Sequence, residues 1–555
     1  MRPGVTVRLA PAAGLEAPGG PAPRAVSFTA QPGEGLARAI WLSGAVPPRP
    51  LCMGLGRCGR CRVRYVGEAP APLPEDEAVL PAREVAGGWR LACRRSVPDM
   101  APGSVLELEL PSDALAAPVR PEAPAGAGAS GRAGAGEAVV LGVDLGTTSL
   151  QWRAVAVGAA GEACTAGRVL AEGSQLNPQA GAGADVMSRL AFARTQAGLA
   201  TLGALARAAV AGIVGRLVAS GLPPGRICLA ANTAMTDIFL GRSVEGLCAA
   251  PYRREHPGGA FVEVPGLPPV LVPPLPAPFV GGDVSAGLAA LLAADTPRPF
   301  VLADLGTNGE LALLTEDGRL FLASVPLGPA LEGIGPERGA MAGPGVVAEF
   351  RPGPQGLQPV LFGQGPGGAA PAEAAGISAT GYLSLLALLF RLGVLDRDGH
   401  FVPPEATALP LARALAHAVT PAPGGARLPL PLGLWLSAAD VELLLKVKAA
   451  FAVALEAVCA AAGVAPVRLQ KLALAGALGE HVRLADLKDL GFAPGVPLGH
   501  MAAVGNTALS GACLLAACPE RMRALAALCE GATVLGLTEG PGFQQAYLAH
   551  MRLGE

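Results

Sequence analysis

The chain has 555 residues, a formal net charge of −2 and 51% hydrophobic residues, enough for several domains with sizeable cores. Near-neutral charge without a basic run excludes an electrostatic footprint for nucleic acid. No basic N-terminal segment leads into an apolar stretch, and the apolar run Leu383–Phe390 is too short to cross a bilayer, so a cytoplasmic protein with no membrane contact is expected.

In chain order, Val5, Val7 and Leu9 alternate with polar or small residues, as do Val26 and Phe28, which predicts two strands. Residues 33–43 read as a helix with Leu36 and Ile40 on one face. Val63–Val66 predicts a further strand, and Leu106, Leu108 and Leu110, alternating with Glu107 and Glu109, a last half-buried one. Among these elements lie Cys52, Cys58 and Cys61, spaced C-x5-C-x2-C, and a distant Cys93 placed where chain reversal can return it. A tight triplet plus one remote partner is how four thiolates grip a single 2Fe–2S cluster. Gly54, Gly56 and Gly59 let such a loop wrap closely and aim N–H groups at the sulfides. Structural zinc is the plainer alternative, but it prefers paired C-x2-C knuckles, and only Cys58 and Cys61 form one. Residues 1–112 are therefore read as a β-grasp, 2Fe–2S ferredoxin-like domain with these four cysteines as iron ligands.

Residues 113–137 collapse to alanine, glycine, proline and serine, the composition of a flexible linker. The seven cysteines outside the motif (Cys164, Cys228, Cys248, Cys459, Cys513, Cys518 and Cys529) are scattered and fit reduced thiols better than a disulfide framework. After the linker comes Val139–Ser149, in which the strand-like VVLGV leads into Asp144-Leu145-Gly146-Thr147-Thr148. A near copy recurs at Phe300–Leu311, with Asp304-Leu305-Gly306-Thr307-Asn308 at its turn. Each copy reads as strand, acidic glycine turn, strand. Glycine lets backbone N–H groups close on phosphate oxygens, threonine adds a hydroxyl donor, and the aspartate is placed to hold Mg²⁺, in part through water. Two copies argue for two related lobes gripping one nucleotide. Neither a P-loop nor a strand-linked G-x-G-x-x-G is present.

The paired turns resemble the phosphate-1 and phosphate-2 motifs of the acetate kinase, sugar kinase, Hsp70 and actin superfamily. With the cysteine module, nearly the whole chain resembles the reductive activators of corrinoid-dependent enzymes. Asn177-Pro178-Gln179 followed by Gly183–Arg189 is similar to that family's NPQ…GADVxSR segment, Ala231–Met235 to its first connecting motif, and Phe279–Gly287 to its FVGADIxAG stretch. Gly328–Gly333 and Gly376–Gly381 follow in the family's order. Leu474–Gly479 resembles the adenosine motif, with Ala477 in place of the second glycine of a pair, and Val504–Ala508 the second connecting motif.

The resemblance implies a multidomain α/β chain: the ferredoxin-like domain, the linker, a first ATPase lobe over 138–275 and a second over 276–555, together a ribonuclease-H-like core. It implies an ATP-dependent reductive activase that passes single electrons from the 2Fe–2S cluster to the Co(II) state of a corrinoid protein or corrinoid-dependent methyltransferase, restoring Co(I). An upstream electron donor and a homodimer are implied as well. Asp144 and Asp304 would serve Mg²⁺, while Gly146, Thr147, Thr148, Gly306, Thr307 and Asn308 face the phosphates of ATP. Gly476 and Gly479 would let adenosine approach the backbone, and Asp283 and Glu332 are candidates for orienting the attacking water or the metal. Asp185 and Arg189, four apart on a predicted helix, suggest a structural ion pair. Two other readings stay open: an ATP-driven donor to a different low-potential acceptor, and a nucleotide-regulated carrier without useful turnover.

Overall fold

Val5, Val7 and Leu9 share one face of the strand Val5–Pro11 and are almost fully buried, so the alternation places a core. The computed structural model describes residues 4–12, 25–49, 51, 54, 56, 59–101, 103–111, 134, 136–158, 167–183, 185–353, 356–363, 373–422, 425–476, 482–537 and 542–554. Cys52, Cys58, Gly479 and nearly all of the linker lie outside them. The N-terminal sheet runs in the order Val26–Ala30, Val5–Pro11, Val105–Leu110, Arg62–Tyr65, Trp89–Leu91. Val5–Pro11 and Val105–Leu110 pair in parallel, and the other neighbours are antiparallel. The helix Leu36–Leu42 packs Leu36, Ile40 and Trp41 onto this sheet.

Two six-stranded sheets follow. The first has the order Ala260–Val262, Val270–Val272, Ile227–Ala230, Ala138–Leu145, Ser149–Val157, Arg168–Leu176. The second runs Met501–Gly505, Lys471–Gly476, Phe300–Leu305, Asn308–Leu314, Leu320–Pro326, Thr533–Leu535. In both, three neighbouring strands are parallel and the third continues into an antiparallel meander. The acidic turns occupy equivalent places, at the first hairpin of each meander.

Between the sheets lie the helices Gly282–Ala293 and Thr507–Ala517, and their side chains share one core with Val140 and Cys228 of the first sheet and Leu302 and Ala312 of the second. They cross closely because Gly511 has no side chain: a Cβ there would lie 1.8 Å from Ala286 O. The helix Thr233–Leu240, which begins inside the Ala231–Met235 segment, packs within the first lobe.

The helix Gln196–Ala219 is long and apolar enough to cross a membrane by length and composition. Its stripe of Leu202, Ala206, Val210, Ile213 and Leu217 is buried in the protein, the spacing of an amphipathic core helix. Two expectations fail locally. Asp185 does not pair with Arg189: it caps the helix Val186–Ala193 and accepts from Ser188 N at 2.8 Å, because it stands at the helix start rather than within it. Cys518 is disulfide-bonded, which scattered spacing could not reveal.

Candidate active site

The register of each hairpin fixes the site. Leu145 pairs with Leu150 across the first turn, and Leu305 with Gly309 across the second, so Asp144 and Asp304 each stand one residue before a strand end. The two turns face one cavity of about 430 Å³ between the lobes. Asp144, Gly146, Thr147, Thr148, Asp304, Gly306, Thr307, Asn308, Asp283, Glu332 and Gly476 all line it, from segments spread over more than half the chain. Gly479 lies outside the described residues.

Glu332 ends the 3-10 turn Pro329–Glu332 and accepts from Thr307 Oγ1 at 2.8 Å, which ties it to the second acidic turn. Asp283 lies in the first turn of the interlobe helix, where its Oδ1 accepts from Val284 N at 2.8 Å. Asn506 caps the other interlobe helix through Leu509 N and donates Nδ2 to Asp144 Oδ2 at 2.7 Å. Gly476, at φ +78°, abuts Asp304: a Cβ there would meet its Oδ1 at 2.5 Å. The missing side chain therefore makes room first for the carboxylate of the second turn.

Two residues that sequence reasoning missed belong here. Glu310 pairs directly with Asp304 across the hairpin and so shares its face. That signal was readable, since Gln151 stands opposite Asp144 in the first copy. Asn506 lay inside a recognised motif but nothing in the sequence aimed it at Asp144.

Five carboxylates (Asp144, Asp283, Asp304, Glu310 and Glu332) thus meet in one cavity whose described lining holds no lysine or arginine. Burial pushes Asp144 up to about 7, against the pull of the Asn506 hydrogen bond. Burial, with Asp283, Asp144 and Glu332 adding like charge, pushes Asp304 up to about 8. Burial likewise raises Asp283 to about 6 and Glu310 well above the carboxylate range. Burial raises Glu332 too, opposed by the Thr307 hydroxyl and the Arg189 guanidinium. Such a set of hard oxygen donors repels bare phosphate and suits a divalent cation that bridges to it. Thr148 Oγ1 and Glu332 Oε2 are buried with no hydrogen bond among the described residues, so polar atoms remain for a ligand to meet.

The cysteines form a second place. Cys61 O accepts from Ala92 N at 3.0 Å, and Cys61 and Cys93 line one cavity with Leu51 and Gly54. Gly54, Gly56 and Gly59 have φ of +82°, +69° and +64°, the left-handed bends that a loop wrapped about a cluster needs. Arg38 lines the cavity, and Arg94, paired with Glu75, donates Nη1 to Gly54 O at 3.3 Å and so ties down the loop. This half of the ligand set fits an iron–sulfur cluster; Cys52 and Cys58 are outside the described residues.

Comparison with known proteins follows the same division. The family described as the C-terminal domain of RACo, the ASKHA domain, matches residues 298–555, and the RACo middle region matches residues 139–294. The Co(II) methylated amine-specific corrinoid protein reductase of Methanosarcina barkeri is 27% identical over 259 residues, 43% of this chain and 43% of that protein. The corrinoid activation enzyme RamQ of Eubacterium limosum is 25% identical over 341 residues, 58% of this chain and 55% of that protein. The matches thus span about half the length of these curated relatives. A segment of 69 residues is 36% identical to one component of the Na(+)-translocating NADH-quinone reductase of Chlamydia pneumoniae, 12% of this chain and 16% of that protein. A solved structure described as a reductive activator for corrinoid, iron–sulfur protein superposes with a TM-score of 0.65 at 20% identity, covering 99% of this chain and 98% of that one. That likeness fixes the fold.

Proposed function

Because the chain belongs to the RACo family through its middle region and its C-terminal ASKHA domain, we infer that it is an ATP-dependent reductive activator of a corrinoid protein or corrinoid-dependent methyltransferase. The relatives named for corrinoid activation and Co(II) reduction support that partner class. The observation that carries the reading is the pair of acidic glycine turns facing one cleft, beside a separate module that brings Cys61 and Cys93 together.

In this reading Asp144 and Asp304 hold Mg²⁺, and the backbone of Gly146–Thr148 and Gly306–Asn308 holds the phosphates of ATP. Glu332, steadied by Thr307, orients the attacking water, and Asp283 orients the metal. Gly479 would join Gly476 at the adenosine end. Cys52, Cys58, Cys61 and Cys93 ligate a 2Fe–2S cluster, which when bound supplies one electron at a time. The domain limits 1–112, 113–137, 138–275 and 276–555, a homodimer, an upstream electron donor and a cytoplasmic, membrane-free setting belong to this proposal.

Energetics give ATP a role in this reading. Plant-type 2Fe–2S centres lie near about −400 mV, and the family resemblance implies that Co(I) demands a lower potential. A nucleotide that inverts a two-state population from about 1:99 to 99:1 contributes about 5.5 kcal/mol. At about 59 mV per tenfold for one electron, that corresponds to roughly 240 mV. The test is anaerobic: a Co(II) corrinoid protein is mixed with the reduced chain, and the Co(II) absorption band is followed with and without Mg–ATP. Loss of the band only with Mg–ATP is expected. A band that persists across several corrinoid proteins would return the assignment to another low-potential acceptor.

A further inference from the structure

The backbone of the first acidic turn is held from behind by one segment. Asn177 Nδ2 donates to Gly146 O at 2.8 Å, Asn177 N donates to Thr148 O at 2.9 Å, and Arg189 Nη2 donates to Thr147 O. Three successive carbonyls of the turn are thus gripped by residues 177–189. A peptide unit is planar and trans, so each carbonyl fixes the direction of the N–H on the opposite side of its plane. Those N–H groups belong to Thr147, Thr148 and Ser149. Any phosphate that draws on them pulls on planes that Asn177 and Arg189 hold.

The same segment is the wall on which the cysteine module rests. Leu42, from the N-terminal helix, is buried in one apolar cluster with Ala182, Val186 and Leu190. Gly181 faces Trp41 and Leu42 so closely that a Cβ would lie 3.0 Å from Trp41 and 3.1 Å from Leu42. A cavity of about 440 Å³ separates Cys61 and Cys93 from residues 180–183. Arg189 joins the two ends. It is fully buried, and besides Thr147 O it donates Nε to Gly183 O at 3.1 Å and Nη1 to Gln179 Oε1 at 3.3 Å. Next to Cys61, Arg60 Nη2 donates to Gly339 O of the second lobe at 3.1 Å.

We propose that residues 177–189 transmit the state of the phosphate site to the docking of the cysteine module, with Arg189 as the positioning residue, and that Mg–ATP loosens that docking. The direction rests on the functional reading above: cysteines facing the first lobe across the cavity cannot also face an external acceptor, so delivery of an electron requires the module to part from the lobe. Tight contact at Gly181 carries a small displacement of the segment into the module rather than absorbing it, because close-packed interiors transmit strain. The nucleotide shifts a population of docked and undocked states.

Hydrogen–deuterium exchange on the full, cluster-loaded chain tests this, with Mg–ATP binding measured separately by calorimetry. In the wild type, Mg–ATP should speed exchange in Leu36–Leu42 and at residues 59–61 by about 5-fold or more, the lower end of coupling between linked sites. Gly181→Val should give fast exchange in Leu36–Leu42 without nucleotide. Arg189→Gln should remove the nucleotide response, and Arg189→Lys, which keeps one donor, should restore part of it. Wild-type chain that binds Mg–ATP with unchanged exchange would overturn the proposal. So would an undiminished response in Arg189→Gln, or Gly181→Val exchanging like the nucleotide-free wild type; if Arg189→Gln fails to fold, the other two arms still decide. A wild-type chain that does not bind Mg–ATP would overturn the nucleotide reading and this coupling together. A normal exchange response without Co(II) reduction would support the coupling and overturn only the choice of acceptor.

Discussion

Asn506 Nδ2 donates to Asp144 Oδ2 at 2.7 Å, so the residue that caps one interlobe helix also steadies the carboxylate of the first acidic turn. Asn506→Ala removes both bonds. The lost cap costs about 1 kcal/mol, and Asp144, already raised by burial, loses the donor that holds it down. A hydrogen bond to a charged group contributes about 1.5–3 kcal/mol, so Mg–ATP affinity at neutral pH should fall roughly 10- to 100-fold. Calorimetry checks the affinity and thermal unfolding checks the cap. Unchanged affinity would remove Asp144 from the metal site.

Glu332→Gln keeps the shape and the bond from Thr307 but cannot accept a proton. If Glu332 orients and deprotonates the attacking water, phosphate release should slow by about 10²–10⁴-fold while ATP binding is retained. Phosphate assays beside calorimetry separate the two. Equal loss of both would make Glu332 a binding residue.

The pH dependence has a definite sign. Asp144, Asp283 and Asp304 have folded-state values of about 7, 6 and 8, above the ordinary 3.8. The native state therefore binds more protons than the unfolded state between those limits, and stability falls as pH rises through the window from about 4 to about 8. The nucleotide-free chain should melt lower at pH 8 than at pH 6. Mg²⁺ should recover more of the loss at pH 8, because it takes the place of protons, and Mg–ATP binding should release protons in that range. A melting temperature that rises from pH 6 to pH 8 without Mg²⁺ would contradict the shared acidic site.

Asp76 is fully buried in the cysteine module, where it accepts from Leu73 N and Leu91 N, each at 2.8 Å, and from Arg95 at 2.6 Å. It thereby holds the strand that leads to Cys93. Asp76→Ala strands Arg95 and two N–H groups, at a cost of about 3–5 kcal/mol for a broken buried pair. Iron content per chain should drop while Mg–ATP binding stays. Full iron retention would mean that Cys93 is positioned by other contacts.

Much of the fold was legible because its signals are local. Alternation at Val5–Leu9 and Leu106–Leu110 marked strands that fold as read, and the twofold Asp-Leu-Gly-Thr turn pointed to two equivalent hairpins. What stayed hidden depends on distant packing. The close crossing of the two helices between the lobes depends on the fit of Gly511 on Ala286, a contact between residues far apart in sequence. Arg189 looked like a helical partner of Asp185, yet the helix begins after Asp185 and the guanidinium reaches back to Thr147. Glu310 was within reach, since strand register puts it opposite Asp304, and only the pairing had to be followed.

The most direct measurement is freeze-quench electron paramagnetic resonance of the reduced chain mixed anaerobically with a Co(II) corrinoid protein, because the reduced cluster and Co(II) each give their own signal. With Mg–ATP present, both signals should fall together, one cluster for each Co(II), and neither should change without it. A Co(II) signal that decays while the cluster signal stays constant, or that decays equally without nucleotide, would contradict an ATP-dependent transfer from the cysteine module.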